Sequence, residues 1–266
     1  VLALVLAVAL MMGFATFASA TDFTDDSDIN QTEAIEVMEM IGVISGYPDG
    51  SFRPDGNVTR AQMAKMVATI VAGGDDVGDL YAGANTFSDC TTPWARGYIA
   101  YANTTGIIAG VGNGRFNPDG NVTGAEAAKM MLCALGYNQD TEEYVGAGWS
   151  VNVLSDARTI GLLDGIEDNA DMNAALSRDN AAQMMLNALE TPMVYYERGS
   201  ITVTGGDSTV VIGGSEAKYV ENLRFDYADG IPNHMEMCEE YFPDLNRIYA
   251  SADEDMNRPA HRWAYN

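Results

Sequence analysis

The sequence predicts a mainly α-helical protein, with three helix–loop–helix units packed in one bundle and a small β-rich segment after them. Three observations predict it. The phrase GNVTRAQMAKM begins at Gly56 and returns as GNVTGAEAAKM at Gly120. Each copy opens with a helix-capping signal and continues with apolar residues at helical spacing. Beyond about Thr191 the pattern changes to alternating β-branched runs.

Aligning Thr59 with Thr123 sets an offset of 64, which also pairs Phe23 with Phe87, Asp25 with Asp89, Gly42 with Gly106, Gly46 with Gly110 and Phe52 with Phe116. A weaker third copy follows, with GLLDG from Gly161 matching GVISG from Gly42, and LSRDNAAQMMLNAL from Leu176 matching the helix that starts near Val58. This copy lacks the aromatic and the proline of the loop. The units are expected over about 23–72, 87–136 and 149–190. A lone two-helix unit cannot bury its apolar faces, so all three are expected to form one domain over 21–190.

The first helix of unit one is expected at 31–41, with Ile35, Met38 and Ile41 on one face and Gly42 ending it. A loop rich in Gly, Pro and Asp follows, which is turn chemistry. Phe52 and Phe116 are expected to plug their loops into the core. Thr59 and Gln62, like Thr123 and Glu126, form capping boxes at the start of the second helix. Met63, Met66, Val67 and Ile70 then make a single core-facing stripe. In the tail, SITVT and STVVI on either side of Gly-Gly-Asp predict a hairpin, and NHMEMCEEYFPDLN a short helix. Residues 191–266 carry little core of their own and are expected to be part of a larger further domain.

The chain of 266 residues has a formal net charge of −24 and an apolar fraction of 47%. That balance excludes nucleic acid as a partner, because neutralising phosphates takes clustered Lys and Arg. It leaves ample material for a core. The apolar run from Val1 to Phe14, followed by Ala18-Ser19-Ala20, reads as a secretory signal peptide over 1–20 without its basic n-region, the alternative being a membrane or core helix. The mature chain is expected to start at Thr21, to be exported, and to have no membrane contact after cleavage. Three cysteines, Cys90, Cys133 and Cys238, do not make a disulfide scaffold or a metal framework. An EF-hand register fails from Asp49, where Arg53 and Pro54 fall on required positions, and from Asn117. No metal and no cofactor are expected.

Arg60 stands in the first turn of its helix, where a cation opposes the helix dipole by a few tenths to about 1 kcal/mol. Arg178 stands in the same place after Ser177. Two readings are open. One is a small anion site, in which a guanidinium reinforces the free N–H groups of a helix N-terminus. The other is an ion pair with one of the chain's own carboxylates.

The pattern F-x-D, an apolar helix, G-I-x-x-G, D-G-x-F-x-P and T-R-A-E/Q resembles the S-layer homology (SLH) module. Units one and two match along nearly their full length, and unit three mainly at its glycines and at SRDNAA. The resemblance implies three tandem modules, the third degenerate, in a pseudo-threefold helical bundle. It implies non-covalent anchoring of an exported protein to bacterial cell-wall polysaccharide, often one whose terminal sugar carries a pyruvate ketal. It also implies a location at the cell wall or S-layer, with other copies of surface-layer protein as further partners. The family's acid-binding arginine maps onto Arg60 and Arg178, beside the caps Thr59 and Ser177. The glycine that lets backbone approach the sugar maps onto Gly46 and Gly110. The aromatic after F-x-D maps onto Trp94 and is expected in unit two alone. Gly124 replaces the arginine of unit two. The expectation is therefore one good site at Arg60 and a less well positioned one at Arg178.

The competing reading is a surface enzyme, or an S-layer structural protein, whose active or lattice-forming part lies in or beyond the tail. The chain has two histidines, His234 and His261, and no G-x-S-x-G, HExxH or Cys/His constellation. This segment is therefore not expected to be an enzyme.

Overall fold

The computed structural model describes residues 23–84, 87–166, 170–197, 200–205, 208–213, 216–224, 233–253 and 259–265. The expected signal peptide lies outside the described residues. The helices are α1 (Thr32–Met40), α2 (Arg60–Val71), α3 (Pro93–Thr104), α4 (Gly124–Ala134), α5 (Trp149–Thr159), α6 (Arg178–Leu189) and a short α7 (Met237–Tyr241). The strands are β1 (Val194–Tyr196), β2 (Ser200–Gly205), β3 (Ser208–Gly213), β4 (Ala217–Tyr219), β5 (Leu245–Asp253) and β6 (Pro259–Tyr265). They pair antiparallel as β1–β4, β2–β3 and β5–β6. The chain is mainly α-helical with a β-containing C-terminal segment.

Both expected capping boxes form. The Thr59 and Thr123 hydroxyls each accept from the backbone N–H three residues on, at 3.2 Å, and the Gln62 and Glu126 side chains each accept back from the cap N–H at 2.9 Å. Gly42, Gly106 and Gly161 follow the first helix of each unit with φ near +75° to +79°, the left-handed stop that favours glycine. The apolar stripes are buried, with Met38, Met63, Ile70, Ile99, Met131 and Leu162 among the fully covered side chains. Phe52 and Phe116 are completely buried, as expected for loop plugs. The thiols of Cys90, Cys133 and Cys238 are all free.

The second helices pack on the first helix of a different unit: α2 lies on α3, α4 on α5 and α6 on α1. A closed ring of backbone hydrogen bonds joins the residues just before α2, α4 and α6. Val58 N–H donates to Leu176 O at 3.0 Å, Leu176 N–H to Val122 O at 2.9 Å, and Val122 N–H to Val58 O at 2.9 Å. Each bond crosses from one unit to another, so no single unit can close the ring. This ties three segments far apart in sequence into one cooperative body.

The tail rests on that body. Val194 N–H donates to Leu135 O at 2.9 Å and Met237 N–H to Thr191 O at 3.1 Å. Met237, Cys238, Phe242, Leu245 and Trp263 join the same apolar core as the six long helices. The segment with so little core of its own is stabilised by sharing the neighbour's. The expected hairpin is present as β2–β3, with Ile201 opposite Ile212 and Val203 opposite Val210.

Candidate binding grooves between the repeats

The start of each second helix inserts into the loop of another unit. Arg60 and Ala61 N–H groups donate to Gly120 O and Pro118 O at 2.8 and 3.0 Å, so α2 docks on the loop of unit two. Arg178 and Asp179 N–H groups donate to Gly56 O and Pro54 O at 2.9 and 3.1 Å, so α6 docks on the loop of unit one. Gly124 and Ala125 N–H groups donate to Ala174 O and Met172 O at 3.3 and 2.7 Å, so α4 docks on the third loop. The N–H groups that the sequence reading left free for an anion are therefore engaged: the first two by these carbonyls, the next by the cap. Any anion recognition here falls to side chains.

The two arginines occupy equivalent seats. Arg60 Nε donates to Phe116 O at 2.9 Å and its Nη2 to Ala109 O at 3.2 Å. Arg178 Nε donates to Phe52 O at 2.9 Å and its Nη2 to Ser45 O at 3.2 Å. Each guanidinium carbon lies 4.7 Å from the centre of its loop phenylalanine, Phe116 or Phe52. Both side chains are buried, at 5% and 8% exposure. Burial lowers the pKa of both below the usual arginine range, yet such a group remains charged at any ordinary pH.

Their partners differ. Arg60 Nη1 makes a 2.8 Å ion pair with Glu126 Oε1. The same carboxylate closes the capping box of α4 through its other oxygen. In unit one the corresponding box residue is Gln62, which is neutral. Arg178 has no carboxylate within ion-pair distance among the described residues. Beside it stands the Tyr47 ring, 4.9 Å from its guanidinium carbon, and on that same ring the guanidinium of Arg53 at 4.0 Å. The equivalents of Tyr47 and Arg53 in unit two are Val111 and Asn117. The two open readings of the arginines thus divide. Arg60 has the internal ion pair, while Arg178 has none among the described residues and feels the Asp25 carboxylate only from beyond ion-pair distance.

The aspartate of F-x-D builds both loops. Asp25 accepts from Phe52 and Arg53 N–H groups at 2.8 and 2.7 Å, and Asp89 from Phe116 and Asn117 N–H groups at 2.8 and 2.9 Å. The Phe52 N–H holds the Asp25 carboxyl below its usual range, against some desolvation and with help from Arg53 N–H. At Asp89 desolvation pulls upward, but the donors prevail and the shift is again downward. Each clamp fixes a residue in the left-handed region, Arg53 at φ 61° and Asn117 at φ 60°. Asparagine tolerates that conformation. Arginine does so less readily.

Thr59 and Ser177 spend their hydroxyl acceptors on helix caps, Ser177 accepting from Asn180 N–H at 3.2 Å. Gly46 and Gly110 have a packing reason to be glycine. A Cβ at Gly46 would stand 2.5 Å from the Phe23 ring, and one at Gly110 would stand 2.6 Å from the Phe87 ring and from Arg115 O. Trp94 is the second residue of α3 and is 48% exposed. The expectation that this aromatic occurs in unit two alone is corrected by α5. Trp149 precedes Gly161 by the same spacing that separates Trp94 from Gly106, and it too opens a helix. The intervening sequence has no F-x-D to mark the place, which hid the match. Trp149 is half-buried, with Lys129 Nζ 5.7 Å from its ring.

The third groove is closed. A Cβ on Gly124 would lie 2.7 Å from Met172 Sδ, 3.0 Å from its Cα and 3.2 Å from its carbonyl oxygen. Met172 stands where the other loops carry Pro54 and Pro118, and Ala170 where they carry Phe52 and Phe116. With the phenylalanine plug gone, the methionine folds into the space a guanidinium would need.

Comparison with known proteins agrees with the first two units. The family profile of the S-layer homology domain matches residues 22–64 and 88–128, so the chain carries two SLH repeats. It is 30% identical over 224 residues to a cell surface protein of Thermoanaerobacter kivui, covering 80% of this chain and 28% of that protein. It is 30% identical over 184 residues to the middle cell wall protein of Brevibacillus brevis, covering 69% of this chain and 17% of that protein. Over 90 residues, 34% of this chain and 4% of the relative, it is 40% identical to cell surface glycoprotein 1 of Acetivibrio thermocellus. The chain thus spans less than a third of the length of these relatives.

Proposed function

We propose that residues 21–190 are a cell-wall anchoring domain of an exported surface protein, a pseudo-threefold bundle of three SLH modules whose third is degenerate. Its ligand is an acidic wall polysaccharide, and the pyruvate ketal of a terminal sugar is the carboxylate that fits best. Residues 1–20 are its signal peptide, and 191–266 begin a further domain that shares its core. The protein resides at the cell wall, where other copies of surface-layer protein are its neighbours.

The observation that carries this reading is the buried Arg178 guanidinium, which makes no ion pair among the described residues. A positive charge removed from water without a directly paired carboxylate is costly, and an anionic ligand supplies that partner. An acidic protein can still bind such a ligand, because a single carboxylate on a neutral sugar feels the local site more than the distant field. On this reading the Arg178 groove is the principal site, and Arg60, already paired with Glu126, is the lesser one. Gly46, Gly110, Thr59 and Ser177 shape the grooves, and Trp94 supplies an exposed aromatic face for a sugar ring.

Sedimentation of the chain with purified Brevibacillus brevis cell walls tests the reading. Wild type is expected to pellet, Arg178→Ala to stay in solution, and acid extraction of the wall polymer to abolish binding. Binding that survives both changes would overturn it.

A further inference from the structure

Resting on that reading, the surroundings of Tyr47 assign a role to a residue that the repeat pattern does not single out. Arg178 and Arg53 both lie against one tyrosine ring, their guanidinium carbons 4.9 and 4.0 Å from its centre. The two carbons are therefore less than 9 Å apart. A carboxylate bridging two guanidinium groups holds their carbons about 8 Å apart or closer. Two like charges on one ring repel, and unit two, with Val111 and Asn117, avoids the arrangement altogether.

Arg53 is now occupied by a carboxylate of its own loop. Its Nη2 donates to Asp49 Oδ2 at 2.8 Å, and its Nε to Ser51 Oγ at 3.2 Å. Both partners of that ion pair are more than half exposed, at 53% and 57%. Exposed pairs contribute little, and a competing carboxylate displaces them easily. Asp49 is meanwhile held in place by Ser51, whose N–H and hydroxyl donate to its other oxygen at 3.1 and 2.6 Å. So the carboxylate stays fixed while the long arginine side chain can turn about its χ angles. The backbone of Arg53 is pinned at φ 61° by the Asp25 clamp, which sets the side chain beside Tyr47.

We propose that Arg53 is a second arm of this binding site. It leaves Asp49 to share the ligand carboxylate with Arg178, so that Asp49 is an internal stand-in for that carboxylate and weakens binding by competing for Arg53. At the Arg60 groove Asn117 stands in the place of Arg53. The acid-dependent part of recognition therefore belongs mainly to the Tyr47 side of the bundle.

Calorimetric titration of the full chain with a hexosamine methyl glycoside bearing a 4,6-pyruvate ketal, and with its neutral methyl ester, tests this. Arg53→Asn is a safe variant, since asparagine already holds the same backbone conformation at Asn117. Asp49→Asn keeps the acceptor for Ser51. Arg53→Asn is expected to weaken binding of the acid about tenfold, the size of one charge-assisted hydrogen bond, and to leave ester binding unchanged. Asp49→Asn is expected to tighten acid binding severalfold. If both variants bind the acid within twofold of wild type while Arg178→Ala abolishes binding, the inference fails and the wall-anchoring reading stands. If wild type does not discriminate acid from ester, or does not bind either, both fail.

Discussion

The junction closed by Arg60 and the junction closed by Gly124 are built on the same backbone plan, and they differ in what the facing loop offers. Unit two presents Phe116 as a floor and its carbonyl as an acceptor, so a guanidinium is seated, bonded and paired. The third loop has Ala170 and Met172 at those places, and the methionine fills the seat. Whether an arginine can stand at the start of a second helix is therefore decided by another unit's loop. The repeat is a scaffold, and the seating of an arginine is written at its interfaces.

The largest effect is expected from forcing the two junctions to match. Gly124→Arg places a side chain against Met172, including its backbone Cα at 3.0 Å. The sulfur can move, but the backbone cannot without opening the bonds to Met172 O and Ala174 O. A loss of about 3 kcal/mol or more in urea denaturation is expected. Adding Met172→Ala should recover part of it by vacating the seat. Wild-type stability in the single variant would mean that the third junction is not closed by packing.

Next come the arginines. Arg60→Met removes an ion pair and leaves Glu126 Oε1 and two carbonyls without the donors they now have, which should destabilise by about 2–3 kcal/mol. Arg178→Met strands two carbonyls but also relieves repulsion with Arg53, so about 1 kcal/mol is expected. The order should reverse in wall binding. Equal stability losses in denaturation would break the distinction between a structural arginine and a binding one.

The two F-x-D clamps predict a pH dependence. A carboxylate whose folded pKa lies below its unfolded value of about 4 adds stability that is present above that pH. The stability is lost as the pH falls through the folded value. Asp25 and Asp89 are both of this kind. Asp25→Asn/Asp89→Asn should therefore melt below wild type at pH 6, and the gap should narrow as the pH drops below about 4. A gap that stays constant to pH 2 would place the clamp's contribution elsewhere.

What the sequence made legible was whatever repeats or alternates over a short span. The capping boxes at Thr59 and Thr123, the glycine stops, the methionine stripes and the β2–β3 hairpin are all of that kind, because a handful of neighbouring residues suffices to specify each. The seating of the arginines was not legible. Arg178 takes its acceptor from Phe52, 126 positions away, and no periodicity reports which loop a helix will enter. The ion pair of Arg60 was written in Glu126, which stands where unit one has Gln62, but each belongs to a capping box that either residue satisfies. Only the three-dimensional neighbour gives that choice an electrostatic meaning. The docking of the tail escaped for a similar reason, since Met237, Phe242 and Trp263 acquire a core only from helices far earlier in the chain.

The smallest effect separates the caps themselves. Thr59 takes part in a reciprocal box, its hydroxyl accepting from Gln62 N–H and its own N–H donating to the Gln62 side chain. Ser177 accepts from Asn180 N–H, and no return bond from Asn180 accompanies it. Removing the hydroxyl at Thr59 breaks one arm and loosens the other, so Thr59→Ala should cost about 1 kcal/mol. Ser177→Ala breaks one arm only and should cost about half as much. Both caps also lie beside the ring of backbone bonds through Val58, Val122 and Leu176, which holds each helix start in place even when its cap is lost. A larger loss at Ser177 than at Thr59 would mean that the ring is weakest where the third unit joins the first, and that the cap there holds the bundle closed as well as the helix.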